Sequence, residues 1–156
     1  MIYSFITGIK NNRGFMREYH LPSEYSLYDF KRFIVSELGF DDSQQSVFFM
    51  LDKNERKIES YSLFDMDTVT LEDLKNRGMK ILLYTFDMFN DRSLHIEFQG
   101  EVEALPRINY PLVAQSKGDA PGQFFEKIED DELDEKMPLY DDDDYDEEEL
   151  YDDYSD

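Results

Sequence analysis

All thirteen phenylalanines of this chain lie at or before Phe125, while 18 of its 37 acidic residues lie after it. This partition constrains the fold more than any motif does. A segment in which like charges repel and apolar residues are sparse cannot bury enough surface to offset the entropy of ordering it. Up to Phe125 there are 14 Lys and Arg against 19 Asp and Glu; from Glu126 onward there are 2 against 18, so most of the net charge of −21 belongs to the last fifth of the chain. The expectation is one folded domain over residues 1–125, followed by a disordered acidic tail over 126–156.

Several classes of protein are disfavoured at once. There is no cysteine, so neither a disulfide framework nor a thiolate zinc site can form. The opening MIYSFITGIK has no basic flank and is short for a signal h-region. No apolar run approaches the ~18 residues of a membrane span. The chain therefore reads as cytoplasmic, with no membrane partner.

Within the first 125 residues the local signals alternate between strand and helix. Residues 1–9 have strand composition, Asn11-Asn12-Arg13-Gly14 is a turn cluster, and residues 15–21 alternate imperfectly because Arg17 interrupts the apolar face. This predicts an N-terminal hairpin ended by Pro22. Ser26 with Asp29 forms a variant capping box, Leu27, Phe30, Ile34 and Leu38 fall on one helical stripe, and Gly39 supplies a left-handed stop. Residues 46–51 read as a buried strand, and 57–63 as a short strand or irregular segment. Thr70 with Asp73 repeats the capping pattern before a helix of about two turns. Met79–Phe86 and Ser93–Leu105 should form a second hairpin, and Pro106–Phe125 reads as loop. The predicted class is α+β: a mixed sheet with an N-terminal hairpin and one main packed helix, in a β-grasp-like order.

Two segments carry a resemblance. Leu82-Leu-Tyr-Thr-Phe-Asp-Met-Phe-Asn-Asp-Arg-Ser-Leu-His-Ile-Glu-Phe98 resembles the tyrosine–aspartate–phenylalanine–glycine–aspartate hairpin of the Ri-plasmid ORF-3-like family, also labelled the insertion-element passenger TnpR family. Tyr110-Pro111 followed by Gly118-Asp-Ala-Pro121 is similar to its tyrosine–proline and glycine–x–alanine–x–proline loop. The opening hairpin, Ser26–Phe30 and Phe40-Asp41-Asp42 extend the likeness to about residues 1–123. The chain departs from the pattern at Phe89, where the family usually has glycine, near Arg92, where it has tryptophan, and at Gly122 in place of a second proline. The resemblance implies a fold and no particular activity, and nothing here resembles a recombinase serine motif.

Three groups of residues are candidates for function. Asp87, Asp91 and His95 recur at four-residue intervals on one hairpin, a pattern from which two carboxylates and an imidazole can build a proton-transfer or metal centre. The plainer reading makes the aspartates turn residues and His95 a surface residue, and it is preferred. A metal site with two imidazoles needs His20 beside His95, and the acid runs Asp141–Asp144 and Asp65-x-Asp67 lack the glycine and closing glutamate of an EF-hand loop. No metal or cofactor is expected. Lys53, Arg56, Lys57, Lys75, Arg77 and Lys80 are candidates for one basic patch. No phosphate-cradling glycine loop accompanies them, and a net negative body makes direct nucleic-acid binding by the full chain unexpected.

The tail is the most distinctive feature. It repeats Leu-Tyr-Asp-Asp at 139–142 and 150–153 and sets Tyr140, Tyr145, Leu150, Tyr151 and Tyr154 among acids. Apolar anchors in an acidic strip suit a basic, partly apolar partner surface. The reading is of a non-catalytic interaction module whose tail engages a basic protein or the domain's own basic patch. The alternative is a nucleic-acid-associated protein of a mobile-element setting, with the tail as an autoinhibitory mimic of nucleic acid. Enzymatic activity would rest on Asp87, Asp91 and His95 alone.

Overall fold

A computed structural model of the chain describes residues 1–123. The expectations for 126–156, including disorder and the Tyr140–Tyr154 anchors, lie outside the described residues. The elements run β1 (Ile2–Ile9), β2 (Asn12–Pro22), α1 (Leu27–Leu38), β3 (Val47–Leu51), β4 (Lys57–Tyr61), α2 (Leu63–Met66), α3 (Leu71–Asn76), β5 (Ile81–Asp87), β6 (Arg92–Val102) and β7 (Leu112–Lys117). The seven strands form one sheet in the order β4-β3-β5-β6-β1-β2-β7.

The α+β class and both long hairpins agree with the sequence expectation, but the sheet is not mixed. Every strand pair is antiparallel. In a β-grasp-like order, the strand after the helices lies parallel beside β1. Here β5 does run in the same direction as β1, but β6 folds back from it and occupies the place between them. The hairpin turn after Asp87 thus converts a central parallel pair into two antiparallel ones, each bonded across a short, perpendicular ladder.

Helix α1 begins and ends for the reasons its sequence suggested. Ser26 Oγ accepts from the Asp29 amide at 3.1 Å, Asp29 Oδ2 accepts from the Ser26 amide at 3.0 Å, and Gly39 closes the helix at φ 71°. Its stripe of Leu27, Phe30, Ile34 and Leu38 is buried against alternate residues of the strands, among them Phe5, Tyr19, Phe48, Tyr84 and Ile96. Thr70 and Asp73 cap α3 in the same manner. One helix was missed. Ser62 and Asp65 form a third box, in which Asp65 Oδ2 accepts from the Ser62 amide at 3.4 Å and from its hydroxyl at 3.2 Å, so Asp65 caps the single turn of α2.

The segment read as loop, 106–125, contains β7 instead. It pairs with β2 from Met16 to His20 and forms one edge of the sheet. Most of its side chains are exposed, which removes the apolar alternation by which a strand is recognised. Its exit explains the family-like glycine. Gly118 sits at φ +77°, and a Cβ there would lie 1.8 Å from the Gly14 carbonyl oxygen.

Arg17, which broke the apolar pattern of β2, is a buried clamp. Its Nε donates to Glu37 Oε2 of α1 at 3.0 Å, and Nη1 donates to the carbonyls of Met16, Lys117 and Gly118 at 2.9, 3.1 and 3.0 Å. Tyr19 donates its hydroxyl to the other Glu37 oxygen at 2.5 Å. One carboxylate thereby ties the helix to two residues of β2, while the arginine ties both to the end of β7.

Burial also sets an alkaline limit on the fold. Burial, then the hydrogen bond to Glu37, raises the Tyr19 phenol, and burial pushes Tyr84 up to about 12. Tyr61 is likewise pushed to about 12, by burial and then by its hydrogen bond to Glu59. The unfolded chain ionises these phenols near the ordinary value of 10.0. Stability from this source is therefore complete below pH 10 and is lost as pH rises toward 12. Denaturant midpoints measured from pH 8 to 12 should fall above 10; a flat profile would contradict the assignment.

Candidate functional site

The alternation that turns Leu82, Tyr84, Leu94 and Ile96 toward the helices turns Ile81, Leu83, Ser93 and His95 to the opposite face. Among the described residues, no helix covers that face. His95 lies between Gly8 of β1 and Leu83 of β5. Over this row folds the β3–β4 loop. The Asp52 amide donates to the Arg56 carbonyl at 2.9 Å, and the Glu55 amide to the Asp52 carbonyl at 2.8 Å. The Asp52 carboxylate accepts from the Arg56 and Asn54 amides at 2.9 and 2.8 Å, bonds that lower its pKa from the ordinary carboxylate value. This compact loop holds Glu55 at φ 62° and carries its carboxylate to 3.9 Å from His95 Nε2.

The result is a groove. A hollow of about 260 Å³ has Leu51 and Leu83 beneath it and Lys57, Glu55, His95 and Asp91 around it. It shares Lys10, Glu55 and His95 with a neighbouring hollow of about 340 Å³, and Lys10, Asp91 and Ser93 with one of about 400 Å³. Lys57 rests its ammonium over the Phe49 ring, 4.2 Å from the centroid. Another hollow, of about 460 Å³, lies between Lys31, Ser46 and Phe64. There the Lys31 ammonium meets Asp42 at 3.0 Å.

The three residues of the proposed polar cluster are divided. Asp91 and His95 line the groove. Asp87 turns to its own hairpin, accepting from Asn90 at 3.1 and 3.0 Å and from Arg92 Nε at 3.0 Å. Desolvation acts to raise its pKa, but these bonds outweigh it, and the carboxyl is lowered. His20 contacts Glu18 at 2.8 Å on β2. Strand spacing and rise place it roughly 16 Å from His95 across β1, so the two-imidazole site does not form. Among the described residues, no three His, Asp or Glu side chains gather to hold a metal ion.

The six basic candidates do not form one uncommitted patch. Arg56 pairs with Asp52 at 3.6 Å, Lys75 with Glu101 at 3.1 Å, and Arg77 with Glu59 at 3.6 Å. Lys53, Arg56 and Lys57 sit at the β3–β4 loop. Arg77 also donates to the Tyr61 hydroxyl at 3.2 Å, so it is held at Glu59 and Tyr61 of β4. Lys80 precedes β5. Lys10 and Glu55 of the groove had no signal in the sequence: each stands in a turn, and only the pairing of distant strands brings them to His95.

The family model described as plasmid pRiA4b ORF-3-like protein matches residues 7–152. The chain is also similar to the crystal structure of a protein of unknown function from Methanosarcina mazei Go1. The TM-score is 0.64 at 16% identity, covering 74% of this chain and 68% of that one; the likeness is one of fold. A comparison with curated proteins gives no match. No helix among the described residues is long and apolar enough to cross a membrane.

Proposed function

The chain belongs to the plasmid pRiA4b ORF-3-like protein family, and from that premise we propose that it is an interaction module whose acidic tail engages a basic surface on a partner protein. The observation that supports this reading is the pairing of the body's own cations. Arg56, Lys75 and Arg77 are each held by an acid of the same body, which leaves only Lys53, Lys57 and Lys80, around the end of β3 where Leu51 pairs with Lys57 and Ile81. A tail with 18 acids and 2 bases therefore finds its complement more readily in trans. Autoinhibition by nucleic-acid mimicry needs a coherent basic site on the body, and the same pairing leaves that alternative with less support. Enzymatic activity forms no part of the proposal.

Electrostatic engagement of this kind weakens with salt, because the Debye length shortens from about 30 Å at 0.01 M to about 8 Å at 0.15 M. The test is fluorescence anisotropy of a labelled Lys- and Leu-containing peptide with the full-length protein. Changing Asp141, Asp142, Asp143, Asp144, Asp152 and Asp153 to Asn should weaken binding by about tenfold or more. Changing Tyr140, Tyr145, Tyr151 and Tyr154 to Ser should also weaken it, which charge alone does not explain. Unchanged affinity in both variants, or tighter binding of duplex DNA than of the peptide, would refute the reading.

A further inference from the structure

We propose that the groove on the uncovered sheet face binds a small amino-carboxylate, a zwitterion with an apolar side chain. The inference is independent of the role assigned to the tail. Its first ground is charge of both signs around an apolar floor. Lys10 and Lys57 line the hollows and, among the described residues, neither has an ion-pair partner, whereas Glu55 and Asp91 present carboxylates into the same space. A simple anion entering here meets two carboxylates, and a simple amine meets two ammonium groups. A ligand with one charge of each sign is complementary to both pairs. Leu51 and Leu83 beneath them offer apolar contact to its side chain, and Ser93 and His95 offer further hydrogen-bonding groups.

Size points the same way. The hollows, of about 260, 340 and 400 Å³, each lie near or below the lower end of the roughly 300–1,000 Å³ typical of sites for drug-sized molecules. An amino acid is a better match than a nucleotide.

The backbone supplies a second, independent ground. Four non-glycine residues among those described have left-handed φ: Asn11 at 67°, Glu55 at 62°, Asp91 at 53° and Arg107 at 67°. The first three line this groove. Asn and Asp tolerate the conformation, but the Glu55 side chain makes no hydrogen bond to the local backbone to favour it, and glycine is the residue that suits the position. Glu55 is held there by the Asp52 loop, and what the strain delivers is a carboxylate 3.9 Å from His95 at the mouth of the groove. Strain of this sort concentrates where a side chain is needed for binding.

The experiment is a ¹H–¹⁵N titration of the full-length protein with L-leucine, 4-methylpentanoate and isoamylamine in parallel. The last two keep the apolar body and remove one charge each. L-leucine should shift the amides of Gly8, Leu83, Ser93 and His95 saturably, and each single-charge analogue should bind at least about tenfold more weakly, as expected when one charged hydrogen-bonding group is missing. Glu55→Gly separates binding from architecture: it relieves the left-handed strain, so its melting temperature should not fall, while leucine affinity should drop by about tenfold. Lys10→Met should weaken binding comparably without unfolding the protein. The proposal is overturned if leucine at about 10 mM, above a millimolar Kd, leaves these amides in place. It is also overturned if 4-methylpentanoate or isoamylamine matches leucine, or if Glu55→Gly keeps full affinity.

Discussion

Replacing Phe30 with alanine should destabilise the folded body by about 3–5 kcal/mol, the range for truncating a fully buried aromatic side chain. Phe30 is fully buried, and its ring meets those of Phe5, Phe48 and Tyr19 with centroids at 5.5, 5.6 and 6.4 Å. It is the point where α1 reaches three strands at once. β1, β2 and β3 are not mutual neighbours throughout the sheet, so no single strand can shift to fill the void without breaking a ladder. Urea unfolding followed by circular dichroism measures the effect. A loss below about 1 kcal/mol would mean that the helix can settle onto the sheet and that the aromatic cluster is less tightly packed than its geometry indicates.

Removing the Glu37 carboxylate should have an effect of similar size through a different mechanism. Glu37→Ala leaves the Arg17 guanidinium, whose side chain is only 8% exposed, without its counter-charge, and leaves the Tyr19 hydroxyl without an acceptor. Breaking one side of such a pair costs about 3–5 kcal/mol, because the remaining charge is stranded away from water. The combined Arg17→Met and Glu37→Leu variant should recover part of that loss, since two apolar groups no longer need each other. Recovery should stay incomplete: Arg17 Nη1 also satisfies the carbonyls of Met16, Lys117 and Gly118, which a methionine cannot do. Equal stability of Glu37→Ala and wild type in the same urea measurement would show that the arginine reaches solvent without the glutamate.

The capping boxes at Ser26 and Thr70, the apolar stripe of α1 and the two long hairpins were legible because each depends on residues within a few positions of one another. Propensity, side-chain bonds to the backbone and period are local properties, and a linear chain displays them directly. The same locality makes the Ser62–Asp65 box readable in retrospect, although its helix is a single turn. Asp87 also behaved as a turn residue should, because its partners Asn90 and Arg92 are near in sequence.

Tertiary structure decided the rest. β7 was not visible because an exposed edge strand needs no apolar alternation; its place follows from the ladder it makes with β2 nearly a hundred residues earlier. The insertion of β6 between β1 and β5 made the sheet antiparallel, and no local pattern distinguishes that order from its parallel counterpart. In the groove, Asp91, His95 and Lys57 were recognisable as chemically capable residues, but Lys10 and Glu55 were not, and Asp87 stays with its own hairpin, as the preferred turn reading has it. Arg17 looked like an interruption until Glu37, twenty residues away, was placed beside it. By itself the sequence determined the helices and strands other than α2, β4 and β7, and how charge divides between body and tail, since those depend on composition and short-range contacts. Which strands adjoin, and therefore which side chains meet on the uncovered face, was decided only by burying one face of seven strands beneath a single helical layer.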